Sequence, residues 1–206
     1  MRPSPLAYPG FVKAFRDIVA RISKAAGAGA RTRSALRMYV AGGAAVHFYT
    51  GARITDDVDA AFSRRLLVPD NLEVAYTDRD GKARLLYFDK QYNETFGLVH
   101  EDAHADALPL ELEGIDRKSV DLRLFSPLDL AVSKLARFAQ NDRDDIRALA
   151  RAGLIGAAEL RRRAEEALAG YVGEEGAVRT SIALACGIVS KEKPRSRRSR
   201  RRPPSY

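Results

Sequence analysis

Residues 38–59 read MYVAGGAAVHFYTGARITDDVD, and this stretch decides the fold. The apolar residues 38–41 predict a strand, and the glycine pair Gly42 and Gly43 then leads into a predicted helix over residues 44–50. Glycines at a strand-to-helix junction let backbone amides approach a phosphate group closely, and the helix start adds a partial positive charge. The stretch therefore predicts a turn that seats a phosphate chain.

A cluster of acids follows this turn. Residues 58–62 predict a second strand, and Asp57 and Asp59 are two positions apart, so their side chains project to one face while Val58 turns into the core. Asp56 should point the other way, toward solvent. Two carboxylates on one face suit Mg²⁺, a hard ion that prefers oxygen ligands. The cluster therefore predicts a magnesium site beside the phosphate-binding turn.

The surrounding segments indicate an α+β protein. Spacings of three and four between apolar residues predict a helix over residues 11–26. Asp80 and Gly81 are a hairpin signal, and Ser126 followed by Pro127 marks a helix start. The other predicted strands cover residues 72–76, 83–88, 107–112 and 120–125, and the later helices cover residues 128–139, 142–151, 157–170 and 174–187. This order predicts a mixed sheet flanked by helices and followed by a helical region. We expect the hairpin to extend that sheet in antiparallel fashion.

We expect three parts in the chain: an α/β core over residues 1–125, a helical region over residues 126–189 and a disordered basic tail over residues 190–206. The last 16 residues contain eight Lys or Arg against one acid, so they carry most of the net charge of +8. Such a composition buries too little apolar surface to offset its ordering entropy. Two roles stay open for the tail: a solubilising extension, or an arm that binds RNA or an acidic partner.

The bulk composition excludes several classes of protein. No run approaches the roughly 20 apolar residues of a membrane span, and the N-terminus lacks the features of a secretory signal. The single cysteine, Cys186, excludes an intrachain disulfide. We therefore expect a soluble, cytoplasmic protein without a membrane partner.

The glycine pair followed by an Asp-hydrophobic-Asp strand resembles the nucleotidyltransferase superfamily, which includes DNA polymerase beta. The particular pattern is similar to the small prokaryotic AbiEii-like branch, known from abortive-infection and toxin–antitoxin systems. The residues that carry this likeness are Gly42, Gly43, Ala44, Tyr49, Arg53, Thr55, Asp57 and Asp59, with a second block formed by Ser126-Pro127-Leu128-Asp129-Leu130, Lys134 and Asp142-Arg143-Asp144-Asp145-Ile146.

The resemblance implies a nucleotidyltransferase-like fold and a set of site residues. The resemblance assigns nucleotide binding to Gly42, Gly43, Arg53 and Thr55. It assigns catalysis to Asp57, Asp59, Asp89, Lys134 and Asp142. The superfamily usually has a third carboxylate on a later strand, which acts as metal ligand or general base. Asp89 is our choice for that place beside Asp57 and Asp59, and Asp106 and Asp121 are the alternatives.

The residues themselves leave other roles open. Arg53 suits either an ion pair with the carboxylates or a phosphate contact. Lys134 also fits a solvated helix face, and Asp142 also fits a helix cap, since acids near a helix start are favourable.

The resemblance implies magnesium-dependent transfer of a nucleotidyl group from a nucleoside triphosphate to an acceptor hydroxyl. The acceptor is an RNA end, a protein side chain or a small molecule, and a toxin that modifies tRNA, with a cognate antitoxin as partner, is the most specific suggestion. The alternative is a noncatalytic nucleotidyltransferase-fold protein that binds an antitoxin or RNA. Loss of the third carboxylate would favour this noncatalytic alternative.

The sequence also contains a formal zinc motif. His100 and His104 formally spell His-Glu-x-x-His with Glu101. A zincin needs this motif within a long amphipathic helix and a third ligand downstream. The intervening residues form no apolar stripe and no later histidine follows, so zinc hydrolysis is disfavoured.

Overall fold

The computed structural model describes residues 1–28, 34–94 and 97–192 and has an α+β fold with six helices in those ranges, which confirms the predicted class. The predicted basic tail lies outside the described residues from residue 193 onward. Within the described ranges, every helix is too short or too polar to cross a membrane.

The first sheet is built around β1 (Leu36–Val40), which pairs in parallel with β7 (Val120–Leu124) and antiparallel with β3 (Ala60–Phe62). The short strand β6 (Leu108–Pro109) pairs antiparallel with the outer side of β7. Because β1 and β7 are parallel, the helices that follow them start at the same edge of the sheet. Ligand sites in α/β proteins form at such an edge.

The second sheet has three strands in the order β2 (Asp57–Val58), β5 (Ala83–Phe88) and β4 (Glu73–Thr77). The predicted hairpin is present: the Asp78 amide donates to the Lys82 carbonyl at 2.9 Å. Since β2 pairs in parallel with β5, the hairpin belongs to this separate sheet and does not extend the first one.

The strand predicted over residues 58–62 is divided at Asp59. Its first part, β2, pairs with β5, whereas its second part, β3, pairs with β1. Asp59 lies at the bend, and its carbonyl accepts the Ala41 amide at 2.9 Å. This exchange of partners places Asp59 where the two sheets meet.

Six helices enclose the sheets: α1 (Pro9–Ala28), α2 (Gly42–Thr50), α3 (Pro127–Ser133), α4 (Gln140–Arg151), α5 (Ala157–Leu168) and α6 (Glu175–Lys191). α1 covers the second sheet, and α3 to α6 pack on one another, with α3 and α4 also against α2. Phe15 and Phe48 meet at the α1–α2 contact with ring centroids 4.8 Å apart. The helical region therefore contacts the core through the helix that follows the glycine pair.

The first helix of this region is shorter than the prediction of residues 128–139. It ends at Ser133, and Phe138 adopts a left-handed backbone with φ +46°. That conformation interrupts a helix. The chain then restarts at α4, whose first turn is capped by Asp142 through the Ala139 amide at 2.9 Å. The turn between α3 and α4 brings Lys134 and Arg137 toward the sheet edge.

Candidate active site

The glycine pair forms one wall of a pocket of about 480 Å³. Ala41 precedes α2 in an extended conformation and offers no side-chain cap, and Gly42 follows with φ +58°. The first amides of a helix have no partner within the helix. A side chain on Gly42 would collide with the Asp59 carboxylate, so glycine lets the helix start and the acid lie in contact. That this turn binds phosphate stays a prediction.

The aspartates form the adjoining wall. Val58 and Phe88 are register partners in the parallel β2–β5 pair, so the next residues, Asp59 and Asp89, follow side by side. The Asp89 amide donates to the Val58 carbonyl at 3.1 Å. Asp57, Asp59 and Asp89 all line the pocket. The structure thus brings together the three acids that were predicted from positions 57, 59 and 89.

Asp59 has the most perturbed carboxyl of this wall. Burial, followed by the charges of Asp57 and Asp89, raises its pKa to about 6, although Lys134 and Arg137 act in the opposite direction. Carboxylates that repel one another in this way favour a proton or a cation between them.

Asp89 is the one of the three candidate third carboxylates that lines the pocket. Asp106 is paired with Arg163 at 2.6 Å, and Asp121 is paired with Arg123 at 2.9 Å. Across residues 1–28, 34–94 and 97–192, however, no three Asp, Glu, His or Cys side chains converge closely enough to form a metal-binding cluster. Mg²⁺ is commonly held by one or two carboxylates together with substrate phosphates and water, and Asp57 and Asp59 fit that pattern.

Thr55 and Arg53 lie beneath the glycine pair. The buried Thr55 hydroxyl donates to Asp57 and fixes that carboxylate. Arg53 does not pair with Asp57; its Nε donates to Asp145 Oδ1 at 2.9 Å. Burial by itself would lower the pKa of Arg53, but the hydrogen bond and charge of Asp145 raise it. Both residues line the pocket where the sequence placed the nucleotide.

Lys134 lies on the helical wall and is not a solvated lysine. Its side chain is 6% exposed, and Nζ is 2.7 Å from Asp145 Oδ2 and 3.7 Å from Asp142 Oδ1. A buried ammonium is retained only when carboxylates compensate its lost hydration. Lys134 is therefore a fixed positive charge facing Asp57 and Asp59 across the pocket.

Asp142 reaches the same wall, but its oxygens are already bonded. Arg137 donates to both oxygens at 2.8 Å, and the Ala139 amide donates to Oδ2. Burial alone would raise the pKa of Asp142, but the hydrogen bond from Arg137 and the charge of Lys134 hold it below its ordinary value. The geometry gives Asp142 the role of positioning Arg137 and Lys134.

Sequence reasoning did not assign roles to three residues in the pocket lining or directly behind it: Arg137, Asp145 and Glu94. Arg137 follows Lys134 by three positions, the spacing that puts residues of one helical turn on one face, and Asp145 follows Asp142 by the same spacing. Glu94 lines the pocket and lies 3.0 Å from His104 Nε2. No spacing rule links Glu94 to the other acids.

The two histidines of the formal zinc motif have separate partners. Residues 101–106 form turns and no helix. His100 Nδ1 accepts the Asp102 amide at 3.1 Å, whereas His104 stacks on Tyr39 with ring centroids 4.3 Å apart. The helical arrangement of a zincin is not formed here.

The fold and the pocket together define a nucleotidyltransferase-like α+β protein, with a glycine turn facing an Asp-x-Asp strand. A family model described as "nucleotidyltransferase of unknown function" (DUF6036) matches residues 14–183. The chain belongs to this family. No curated protein and no solved structure matches this chain.

Proposed function

We propose that this protein is a magnesium-dependent nucleotidyltransferase that moves a nucleotidyl group from a nucleoside triphosphate to an acceptor hydroxyl. One observation carries the proposal: the start of α2, the acids Asp57 and Asp59, and the buried Lys134 line a single pocket. Phosphoryl-type transfer needs little covalent help from the protein and depends on positioning and charge. This pocket supplies both.

The phosphate chain is placed along the wall formed by Gly42, Gly43 and Lys134. The amides at the start of α2 donate to phosphate oxygens, and Lys134 and Arg137 offset their negative charge. Arg53 and Thr55 support the floor under Gly43, where an added side chain would lie 2.9 Å from Arg53 Nη2 and 3.0 Å from Thr55 Cβ. This packing keeps the backbone open to the nucleotide.

The donor set of the sheet wall fits magnesium. Asp57 and Asp59 would hold the ion, with Asp89 as a third carboxylate, and the raised pKa of Asp59 reflects negative charge that a cation would relieve. When bound, the ion would neutralise phosphate charge and orient the reacting oxygens.

The proposed reaction forms a bond between the acceptor oxygen and the α-phosphorus and breaks the bond from that phosphorus to the β-phosphate. Pyrophosphate leaves with the bonding electron pair, and Asp89 takes the proton of the acceptor hydroxyl. Asp89 suits this role because it directly follows β5, lies beside Asp59 and lines the pocket.

We place the chain in the AbiEii-like branch and propose RNA, in particular tRNA, as acceptor in a toxin–antitoxin-type system in the cytoplasm. The resemblance of the two sequence blocks supports this assignment, and the basic composition of the tail suits an RNA arm. The core over residues 1–125 then provides the acids, and the helical region over residues 126–189 provides Lys134 and Arg137. A cognate antitoxin would be the protein partner.

The test is incubation of the purified protein with each α-labelled nucleoside triphosphate, Mg²⁺ and total cellular RNA. A double substitution of Asp57→Ala and Asp59→Ala should remove labelling, while Asp56→Ala should retain it. Asp56 belongs to the same acid cluster but is exposed and paired with Arg84 at 3.4 Å. Labelled RNA that depends on Asp57 and Asp59 supports the proposal; labelling that survives the double substitution overturns the site.

A second candidate is a noncatalytic protein that binds nucleotide, RNA or an antitoxin. The observation that favours it is that Asp57, Asp59 and Asp89, though side by side, do not form a convergent three-acid cluster in the described residues. Nucleotide binding without label transfer in the same assay would select this function.

A further inference from the structure

The second sheet has one open face. α1 packs on the other face, where Leu86 is fully buried, whereas Leu85 and Tyr87 on β5 are 47% and 41% exposed. In the register of the β4–β5 pair, Leu85 faces Ala75 and Tyr87 faces Glu73. An aromatic ring beside aliphatic side chains on an open sheet face is a surface suited to stacking of a flat ring.

This face is continuous with the candidate active site. Tyr87 is the register partner of Asp57, and parallel partners project to the same side of the sheet. Asp89 lines the active-site pocket and also a neighbouring cavity of about 540 Å³, which Tyr87 lines as well. The two cavities therefore meet at the carboxylate assigned to accept the acceptor's proton.

We propose that the cavity beside Tyr87 is the acceptor subsite, in which a nucleobase next to the attacking hydroxyl stacks on the Tyr87 ring. This inference rests on the proposed nucleotidyl transfer, because it places the acceptor on the Asp89 side of the acids. The nucleotide donor occupies the neighbouring pocket, which Gly42 and Lys134 line and which the cavity beside Tyr87 does not share with them.

The charges around the face restrict what binds there. Lys90 lines the cavity and is paired with Asp70 at 2.7 Å. The charge of Asp57, followed by burial and the charge of Asp89, raises the pKa of Tyr87. With its lysine paired and carboxylates close to the ring, the face offers little attraction to a long phosphate backbone. The subsite therefore fits a single unpaired nucleotide held by stacking, and its affinity should depend weakly on salt.

The chain contains no tryptophan, so Tyr87→Trp creates a single fluorescent reporter on the full-length protein. A short single-stranded RNA should quench its fluorescence, and the quenching should persist at raised salt. Val172→Trp is the matched control, since Val172 is 83% exposed in the turn between α5 and α6. Its fluorescence should not respond to the RNA.

Kinetics supply a second measurement. Tyr87→Ala should raise the KM for the RNA acceptor by roughly 5- to 100-fold, the range expected from losing one base–aromatic stack, with the KM for the nucleoside triphosphate unchanged. Tyr87→Phe keeps the ring and should retain the acceptor KM. A purely structural role for Tyr87 would alter both KM values or kcat instead.

Three outcomes overturn the subsite. Equal responses of the Tyr87→Trp and Val172→Trp proteins remove Tyr87 from the acceptor contact. Quenching by nucleoside triphosphate that competes with the RNA assigns the ring to the donor base. If Tyr87→Ala transfers label with an unchanged KM for the acceptor, the subsite is rejected and the proposed function stands. If the unsubstituted protein neither binds nucleotide nor transfers label, the function and the subsite are rejected together.

Discussion

Two pairs of aspartates lie in the pocket lining or directly behind it, and their surroundings are opposite. On the sheet wall, Asp57 and Asp59 are partly exposed, and repulsion contributes to a raised pKa at Asp59. On the helical wall, Asp142 and Asp145 are both 1% exposed and are bonded to Lys134, Arg53 or Arg137. Within the described residues, no cation lies at ion-pair distance from the first pair, whereas each member of the second pair has two.

This difference separates binding groups from positioning groups. Carboxylates whose charge is uncompensated gain free energy when a cation arrives, so the sheet pair is suited to a metal. Carboxylates that already accept strong hydrogen bonds would lose them on binding a metal, so the helical pair is suited to hold Lys134 and Arg53 in place. The sequence resemblance assigns Asp57, Asp59 and Asp142 alike to catalysis.

The largest effect is expected from Asp145→Ala. It leaves the buried Lys134 and the half-buried Arg53 without their closest carboxylate, and breaking a buried pair costs about 3–5 kcal/mol. Urea unfolding would measure the loss. Asp144→Ala, on the same helix, is the control, because Asp144 is 48% exposed and paired only with surface groups; its cost should stay below about 1 kcal/mol. Equal costs at the two positions would contradict the comparison.

Removing a charge from the sheet pair, Asp57 and Asp59, should raise the free energy of unfolding instead of lowering it. Asp59→Asn removes a repelled charge, and each pKa unit corresponds to about 1.4 kcal/mol. The rise from the ordinary value of 3.8 to about 6 therefore predicts stabilisation by up to about 3 kcal/mol at pH 7 in EDTA. Urea unfolding of the wild-type protein and of Asp59→Asn measures this stabilisation. Adding Mg²⁺ and nucleotide should reduce the difference in the free energy of unfolding between the two proteins.

The pH dependence follows from the same shift. The folded protein holds the Asp59 proton more tightly than the unfolded chain does, so the free energy of unfolding should fall as pH rises from 3.8 to about 6 and stay low above it. Asp59→Asn should lack this fall. A wild-type stability that rises relative to the variant over this window would show that Asp59 is not repelled.

An intermediate effect is expected from Gly42→Ala. Gly42 and Gly81 both have positive φ, so alanine costs about 1–2 kcal/mol at either position. Only at Gly42 does the new methyl group also displace the Asp59 carboxylate, since the space around Gly81 is open. Nucleotide affinity by calorimetry should fall about tenfold or more for Gly42→Ala, roughly 1.4 kcal/mol, and stay unchanged for Gly81→Ala. A loss in both variants would point to backbone strain alone.

The smallest effect is expected from Asp106→Ala. Asp106 is 52% exposed, and its partner Arg163 also binds the buried Asp129 at 2.8 Å. An exposed ion pair contributes about 0–1 kcal/mol, so stability should change little and label transfer should be unaffected. Loss of transfer in this variant, but not in Asp89→Ala, would move the third carboxylate to Asp106.

Local patterns predicted most of the elements. The hairpin around Gly81, the strand of residues 83–88 and the helix of residues 11–26 agree with the structure to within two residues, because turn chemistry and apolar periodicity act over a few positions. The helix predicted over residues 128–139 ends at Ser133, where the Lys134 and Leu135 amides bond three residues back, to the Ala131 and Val132 carbonyls. Its apolar spacing continues past Ser133, so no periodicity could show the break.

The sequence by itself determined that a glycine turn precedes two acids spaced two positions apart, since both features depend on neighbours along the chain. Only the tertiary structure decided which charges compensate one another. Arg53 and Asp145 are 92 positions apart, and the exchange of partners at Asp59 requires both sheets. Burial and pairing of charges depend on groups that are distant in the chain, and for that reason the folded protein, and not the motif, distinguishes the acids that suit a metal from those that hold the site together.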